Sequence, residues 1–177
     1  MTRQELGPLP QSYWVEPGKL LAGDYPGKKD NERLRIRLRR LLKSGMTVFV
    51  DLTEAGEKQL KPYAGPLAEE AAALGMEAEH RRMPIEDFET PGEAEMKAIL
   101  DTIDAALAKG QGVYVHCFVG IGRTGTVVGC YLVRHGLSGP EALDELARLR
   151  EGAYFGGTDS PVTAAQRQFV QDWVPGK

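Results

Sequence analysis

The sequence of 177 residues has little cysteine, little histidine and no long apolar run, and each shortage narrows what the protein can be. The two cysteines, Cys117 and Cys130, indicate no disulfide framework and favour a reducing compartment. The three histidines and two cysteines show no metal-ligand spacing, so we predict no metal site and no cofactor. No segment has the apolar character of a signal peptide or a membrane span, so we expect a cytoplasmic protein.

Charge and size narrow the range of partners and of domain arrangements. The net charge of −3 argues against nucleic acid as a partner, and the lack of apolar runs argues against a membrane. Apolar residues make up 42% of the chain and charged residues 27%, as in ordinary globular proteins. We therefore expect residues 1–177 to form a single domain with its own core.

Strand-like and helix-like segments alternate along the chain. Short apolar stretches predict strands at 12–15, 19–22, 46–52, 76–83 and 112–116. Apolar residues at helical spacing predict helices at 31–43, 66–74, 90–109, 124–134, 138–150 and 160–173. The third of these begins at a predicted capping box formed by Thr90 and Glu93, and the last at Ser160-Pro161. The order predicts an α/β fold in which a mostly parallel or mixed central sheet is flanked by helices.

Residues 116–125 are the most informative segment, and they read His-Cys-Phe-Val-Gly-Ile-Gly-Arg-Thr-Gly. The segment joins a predicted strand to a predicted helix, so Cys117 lies at a helix N-terminus, where unpaired N–H groups and the helix dipole favour an anion. Gly120 and Gly122 allow the intervening backbone to curl with its amides pointing inward. The pattern therefore predicts an anion-binding loop at the carboxyl end of a strand, where open α/β sheets bind ligands.

The side chains of this loop suit a tetrahedral phosphate. The planar guanidinium of Arg123 matches two phosphate oxygens, and its positive field favours the thiolate, the nucleophilic form of Cys117. We expect Thr124 to donate its hydroxyl to that sulfur. We expect a phosphate or sulfate ion to bind in the loop. The predicted phosphate-binding residues are Phe118, Val119, Gly120, Ile121, Gly122 and Arg123.

The loop resembles the His-Cys-x5-Arg-Ser/Thr signature of the cysteine-based protein tyrosine phosphatases. Its Cys-x-x-Gly-x-Gly-Arg-Thr-Gly form is similar to the small, atypical dual-specificity branch. The resemblance implies a phosphatase that hydrolyses phosphotyrosine, and phosphoserine or phosphothreonine as well, through a phosphocysteine intermediate. Its substrates would be phosphoproteins or phosphopeptides, with Cys117 as nucleophile and Arg123 as phosphate ligand. The alternative is a core cysteine on a glycine-rich turn.

Two further segments resemble parts of the same family. In residues 82–91 the Pro-Ile-x-Asp pattern resembles the acid loop, which implies that Asp87 is the general acid and later the base. Glu86 is the neighbouring competitor, and two solvated loop carboxylates are the alternative. Gln166 matches the glutamine that orients the hydrolytic water, whereas a surface glutamine on an amphipathic helix is the other interpretation. Gln168 points elsewhere on that helix.

The remaining titratable and thiol groups are assigned supporting or structural roles. We expect His116 to hydrogen-bond the backbone of the loop and so support the geometry of Cys117. A cysteine–histidine hydrolase with His80 or His135 as base does not explain the arginine of the motif. Cys130 is expected to pack in the core, with a redox partner for the catalytic cysteine as the alternative.

The sequence leaves two alternative functions and the role of one basic helix to be decided. The same chemistry would serve a phosphatase of small metabolites such as inositol phosphates. A non-catalytic module that binds phosphorylated residues is the rival from another class, but such modules typically lose Cys117, Arg123 or Asp87. Residues 33–43 carry a basic run, interpreted as a solvated helix face rather than as a lipid or polyphosphate site.

Overall fold

A computed structural model describes residues 6–27 and 30–177. In these residues, one mixed sheet has the strand order β1-β2-β5-β3-β4. The two strands of the predicted hairpin pair antiparallel, and all other neighbours pair in parallel, as the sequence predicted. The strands are β1 (Tyr13–Glu16), β2 (Leu20–Gly23), β3 (Met46–Asp51), β4 (Glu79–Arg82) and β5 (Gly112–His116).

Helices cover both faces of this sheet. Two helices pack on the face that carries Leu21, Phe49 and Tyr114, and the other four pack on the opposite face. No helix among the described residues is long and apolar enough to cross a membrane. The helices are α1 (Asn31–Lys43), α2 (Ala64–Ala73), α3 (Glu93–Ala108), α4 (Gly122–Arg134), α5 (Gly139–Leu149) and α6 (Ala164–Asp172).

Two predicted helix starts are wrong, and both have a local cause. The helix predicted from Thr90 begins at α3 instead, because the Glu95 carboxylate accepts a hydrogen bond from the Gly92 N–H and forms the capping box there. The helix predicted from Ser160 begins at α6, where Thr163 is the N-cap. The Ser160 hydroxyl donates to the Ile121 carbonyl at 2.7 Å, so this side chain holds the 116–125 segment in place and does not cap a helix.

The parallel strands bring three loops to one edge of the sheet. In the register, Asp51 at the end of β3 lies beside both His116 and Arg82. The chain continues the pairing past the strands, since Leu52 donates to the His116 carbonyl at 2.9 Å and Ile85 donates to the Leu52 carbonyl at 3.0 Å. The loops after β3, β4 and β5 therefore meet at the carboxyl end of the sheet, where such folds bind ligands.

Candidate active site

Cys117 lies at the base of the loop between β5 and α4. Its thiol is buried and accepts a hydrogen bond from the Gly120 N–H at 3.2 Å. Gly120 adopts a φ of +82°, and a Cβ there would lie 2.5 Å from the backbone of Gly23. This position therefore requires glycine for two reasons, and the close approach holds the loop against the end of β2.

His116 supports the loop as the sequence predicted, and Thr124 does not. The His116 Nδ1 lies 3.1 Å from the Cys117 carbonyl oxygen, and its Nε2 lies 2.6 Å from the Tyr63 hydroxyl. Burial lowers the pKa of His116, which favours a neutral ring with the tautomer that donates to the carbonyl. The expected hydrogen bond from Thr124 to the sulfur is absent: its buried hydroxyl has no partner among the residues that the structure describes, and the Gly120 amide contacts the thiol instead.

Arg123 is almost fully buried and forms an ion pair that the sequence did not indicate. Its two terminal nitrogens donate to the two carboxylate oxygens of Glu57, each at 2.7 Å. One of them also donates to the Ile85 carbonyl at 2.9 Å. Burial alone would raise the pKa of Glu57, but the hydrogen bonds and charge of Arg123 outweigh it and hold that pKa below its usual value.

The ion pair decides which edge of Arg123 is left for a phosphate. Because Glu57 occupies the outer fork, the remaining bidentate edge consists of Nε and Nη2. Among the described residues, the buried Nε has no hydrogen-bond partner. The Nη2 atom also lies 3.1 Å from an Asp87 carboxylate oxygen. A phosphate bound to this edge would therefore compete with Asp87 for one donor.

Asp87 lines a cleft together with Cys117 and Arg123, whereas Glu86 is exposed outside this cleft. The Asp87 carboxylate forms a close ion pair with Lys58, and the ammonium of Lys58 lies 5.0 Å from the centre of the Phe118 ring. The next residue, Phe88, has a backbone φ of +66°, and its side chain is 59% exposed at the rim. The structure thus separates the two candidate acids by position.

Gln166 is buried against the loop, so the interpretation as a surface glutamine is wrong. Its carbonyl oxygen accepts the Thr163 N–H at 3.1 Å, and its amide donates to the Glu89 carbonyl at 3.2 Å. A Cβ on Gly122 would lie 3.3 Å from this amide group. Gln166 therefore joins α6, the segment 82–91 and the loop 116–125 at one point.

These residues surround one cleft of about 320 Å³. Cys130 lies apart from it in the core, as predicted, and burial raises the pKa of its thiol above the usual value. Within residues 6–27 and 30–177, no group of three or more histidine, cysteine or carboxylate side chains is arranged to hold a metal ion. The cleft is lined by Lys58, Asp87, Phe88, Cys117, Phe118, Val119, Ile121, Gly122, Arg123, Val162 and Gln166.

Glu57 and Lys58 are the site residues that the sequence analysis missed. Both lie in a single 3₁₀ turn, Glu57–Gln59, in the loop that follows β3. Their position after β3 could have indicated them. A loop that follows a parallel strand lies at the same edge of the sheet as the loop 116–125, which follows β5. The residue types alone do not distinguish this pair from any exposed Glu-Lys pair.

Replacing Glu57 with glutamine is expected to lower the free energy of unfolding at pH 7 by about 1–3 kcal/mol, because buried Arg123 loses the carboxylate that binds both of its terminal nitrogens and keeps only Asp87 as a counter-charge. The depressed pKa of Glu57 sets the sign with pH. Its contribution is present above the unfolded-state pKa of about 4.5 and is lost as pH falls through the lower folded-state pKa.

Urea unfolding of both proteins across this pH range measures the difference. The matched control is Glu54→Gln, an exposed carboxylate in the same loop, which should change stability little. A difference that grows below pH 4.5 instead of shrinking would contradict the assignment.

Comparisons with known proteins agree with this geometry. A family model described as "Polymorphic toxin system, DSP-PTPase phosphatase" matches residues 27–137. The mouse (Mus musculus) dual specificity protein phosphatase CDC14B is 35% identical over 79 residues, which cover 44% of this chain and 16% of the relative. The phosphatidylglycerophosphate phosphatase PTPMT2 of Arabidopsis thaliana is 32% identical over 117 residues, which cover 66% of this chain and 45% of the relative.

Among solved structures, the active form of Tk-PTP is 25% identical, with a TM-score of 0.70 over 93% of this chain and 96% of that one. The curated relatives are longer, and the chain matches only 16% and 22% of the first two. The family model nevertheless spans most of the fold, including the whole of the cysteine loop. The chain belongs to the DSP-PTPase phosphatase family, as a small dual-specificity member of the cysteine-based protein tyrosine phosphatase superfamily.

Proposed function

We propose that this protein is a metal-independent phosphatase that hydrolyses phosphotyrosine, and also phosphoserine and phosphothreonine, in phosphorylated polypeptides. The observation that carries the proposal is the convergence of Cys117, Arg123 and Asp87 on one cleft at the carboxyl edge of the sheet. A nucleophile, a phosphate ligand and a proton donor are the three parts that transfer of a phosphoryl group to cysteine requires.

In the first step, the Cys117 sulfur attacks phosphorus and the bond between phosphorus and the ester oxygen breaks. The inward amides of the loop and the Nε/Nη2 edge of Arg123 bind the three non-bridging oxygens. Since Asp87 shares Nη2 with that edge, the incoming phosphate displaces its carboxylate from Arg123. The displaced carboxylate takes up a proton from solvent and, as a carboxylic acid, gives it to the departing ester oxygen. The products are a free hydroxyl compound and a phosphocysteine.

In the second step, water attacks the phosphocysteine and the sulfur–phosphorus bond breaks. Asp87, now a carboxylate, takes a proton from the water, and inorganic phosphate leaves with the regenerated thiolate. Gln166 is close enough to the phosphate loop to position that water, although its amide also holds the Glu89 carbonyl. Its role in hydrolysis is part of the proposal.

Apolar side chains at the rim support an aromatic phosphoester as a substrate. Phe88 and Val162 both line the cleft and are 59% and 42% exposed. An aromatic ring packed against such groups would bring its phosphate to the buried sulfur.

A phosphorylated lipid or small metabolite is the second candidate. The observation that favours it is the similarity to PTPMT2, a relative named for phosphatidylglycerophosphate. Against an inositol phosphate, the variable loop positions Phe118, Val119 and Ile121 carry no charge and offer no side-chain contact to further phosphates.

Phosphate release from a substrate panel tests the proposal. The panel contains a phosphotyrosine peptide, the matching phosphothreonine peptide, an inositol phosphate and phosphatidylglycerophosphate in micelles. We expect the phosphotyrosine peptide to give the highest kcat/KM, competitive inhibition by vanadate and no effect of EDTA.

Two results would contradict the proposal in different ways. Turnover that EDTA abolishes would overturn the cysteine mechanism. Turnover confined to the lipid would leave the mechanism in place and transfer the assignment to the second candidate.

A further inference from the structure

The basic residues of α1 do not form one solvated face, because the structure divides them between two sides of the helix. Arg35 and Arg39 point towards α2, where both bind the carboxylate of Glu70. Arg35 also binds Glu69 at 2.6 Å. These arginines therefore fasten α1 to α2, and they are not available to a ligand.

The other side of α1 carries a stripe formed by Arg33, Ile36, Arg37 and Arg40. Their spacing of three, four and seven residues places them on one face of the helix. Arg37 is held in place by Asp24 at 2.5 Å and by the Pro26 carbonyl at 3.1 Å. Arg37 is therefore a structural arginine, and it lies between Arg33 and Arg40, which are exposed.

Arg33 and Arg40 are the arginines of the stripe that remain available to a ligand. Arg33 is 78% exposed and lies 3.8 Å from Asp30, a separation and exposure at which an ion pair contributes little. Asp30 is also the N-cap of α1, and its side chain accepts the Glu32 N–H at 2.8 Å. Arg40 is exposed and forms no ion pair with any residue that the structure describes.

A groove made of adjoining clefts runs from this stripe towards the loop 116–125. The first cleft, of about 560 Å³, is lined by the stripe, by the Leu9-Pro10 segment and by Asp30, the neighbour of Arg33. A second cleft of about 390 Å³ shares Pro10 and Arg37 with the first, includes Asp24, the ion-pair partner of Arg37, and extends to Phe118 and Val119. Those two residues also line the active-site cleft. The second cleft therefore adjoins the first cleft at one end and the active-site cleft at the other.

Backbone hydrogen bonds hold the outer wall of the groove in place. The Tyr154 N–H donates to the Pro10 carbonyl at 2.9 Å, and the Phe155 N–H donates to the Gln11 side chain at 2.8 Å. Buried Arg150 in turn donates to the Phe155 carbonyl at 2.8 Å. Tyr154 is nevertheless 76% exposed, so the wall presents an aromatic surface on a fixed backbone.

We propose that this groove binds an acidic segment of the phosphorylated polypeptide, with its carboxylates on Arg33 and Arg40. The inference rests on the proposed phosphatase function and adds the sequence preference of the substrate. Seven residues of helix separate the two arginines by about 10 Å, and a peptide in the polyproline II conformation covers about 9 Å in three residues, with side chains i and i+3 on the same side. Two carboxylates three residues apart therefore match the stripe, whereas a small phosphorylated metabolite does not reach it.

The experiment compares two phosphotyrosine peptides that differ only in two glutamates, spaced three apart and replaced by glutamines in the second peptide. We place the pair at several distances from the phosphotyrosine and on either side of it. For the best placement we expect the parent protein to prefer the acidic peptide by about 3- to 20-fold in kcat/KM, the size that two exposed ion pairs contribute. The preference should lie mainly in KM, since these contacts are equal in ground and transition states.

The test variant is Arg33→Gln combined with Arg40→Gln, and the control is Lys43→Gln combined with Lys109→Gln. Each pair removes two exposed positive charges, but only the first pair lines the groove. We expect the test variant to lose the preference while keeping its rate on a small aryl phosphate. The control variant should keep both.

Binding to the Cys117→Ser protein separates this inference from the proposed function. If no substrate is turned over but binding of the acidic peptide still depends on the two arginines, the groove assignment holds and the phosphatase proposal fails. Turnover without an arginine-dependent preference or binding would overturn the groove. A double variant that loses binding to phosphatidylglycerol vesicles, with no effect on either peptide, would overturn it in favour of a lipid surface.

Discussion

Turnover of every phosphomonoester is expected to disappear when Cys117 is replaced by serine, while the fold and the affinity for phosphate persist. The neutral serine hydroxyl is a poor nucleophile, so the covalent step stops, and the loss should reach at least about 10⁴-fold in kcat. The proposed phosphate ligands are backbone amides and Arg123, which is held by Glu57 and not by the thiol. Their positions therefore do not depend on the sulfur.

The matched control is the same substitution at the other cysteine. Cys130→Ser buries a hydroxyl in the apolar core and should cost about 1–3 kcal/mol of stability without lowering kcat. Phosphate release and calorimetric titration with inorganic phosphate give the two readouts. More than trace activity in the Cys117→Ser protein would require another nucleophile.

The catalytic loop could be predicted from sequence because its geometry is local. A strand, a turn with two glycines and a helix N-terminus occupy ten consecutive residues, 116–125, and the chemistry follows from their order. The contact between His116 and the Cys117 carbonyl is equally local, and the structure contains it. The predicted hydrogen bond from the Thr124 hydroxyl to the Cys117 sulfur is wrong. The direction of that hydroxyl depends on the first turn of α4, and not on the number of residues between Thr124 and Cys117.

The ion pairs around the loop could not be predicted, because their partners lie far apart in sequence. Glu57 and Arg123 are separated by 66 residues, and only the parallel order of β3 and β5 brings them together. The same holds for Arg35 and Arg39, whose binding to Glu70 depends on how α1 packs beside α2. Sequence indicates a charged residue, but the fold selects its partner.

The start of the last helix could not be predicted, because a serine before a proline can either cap a helix or bind another segment. The Ser160 hydroxyl donates to the Ile121 carbonyl of the 116–125 segment and does not cap α6. Thr163 takes the N-cap position, with Gln166 as the reciprocal member of its capping box. Gln166 therefore combines a structural role, visible in these contacts, with a position at the cleft that motivates its proposed catalytic one.

The second large effect is expected from Asp87→Asn, and it depends on the leaving group. A loose transition state places negative charge on the departing oxygen, so a proton donor matters most when that oxygen is basic. The variant should slow phosphotyrosine peptides by about 10²–10⁴-fold, the range of a lost general acid. An aryl phosphate with a very acidic phenol should lose far less, because its oxygen departs without a proton.

The structure supplies both the control and the competing explanation for this variant. Glu86→Gln removes a neighbouring carboxylate that is exposed outside the cleft, and it should leave both substrates unaffected. Asp87 also binds Lys58 and Arg123, so its loss could act by displacing them instead of by removing a proton. That effect would slow good and poor leaving groups equally, because both need the same phosphate ligands. Pre-steady-state rates for the two substrates therefore decide the matter: unequal losses assign Asp87 as the acid, and equal losses show that it only shapes the loop.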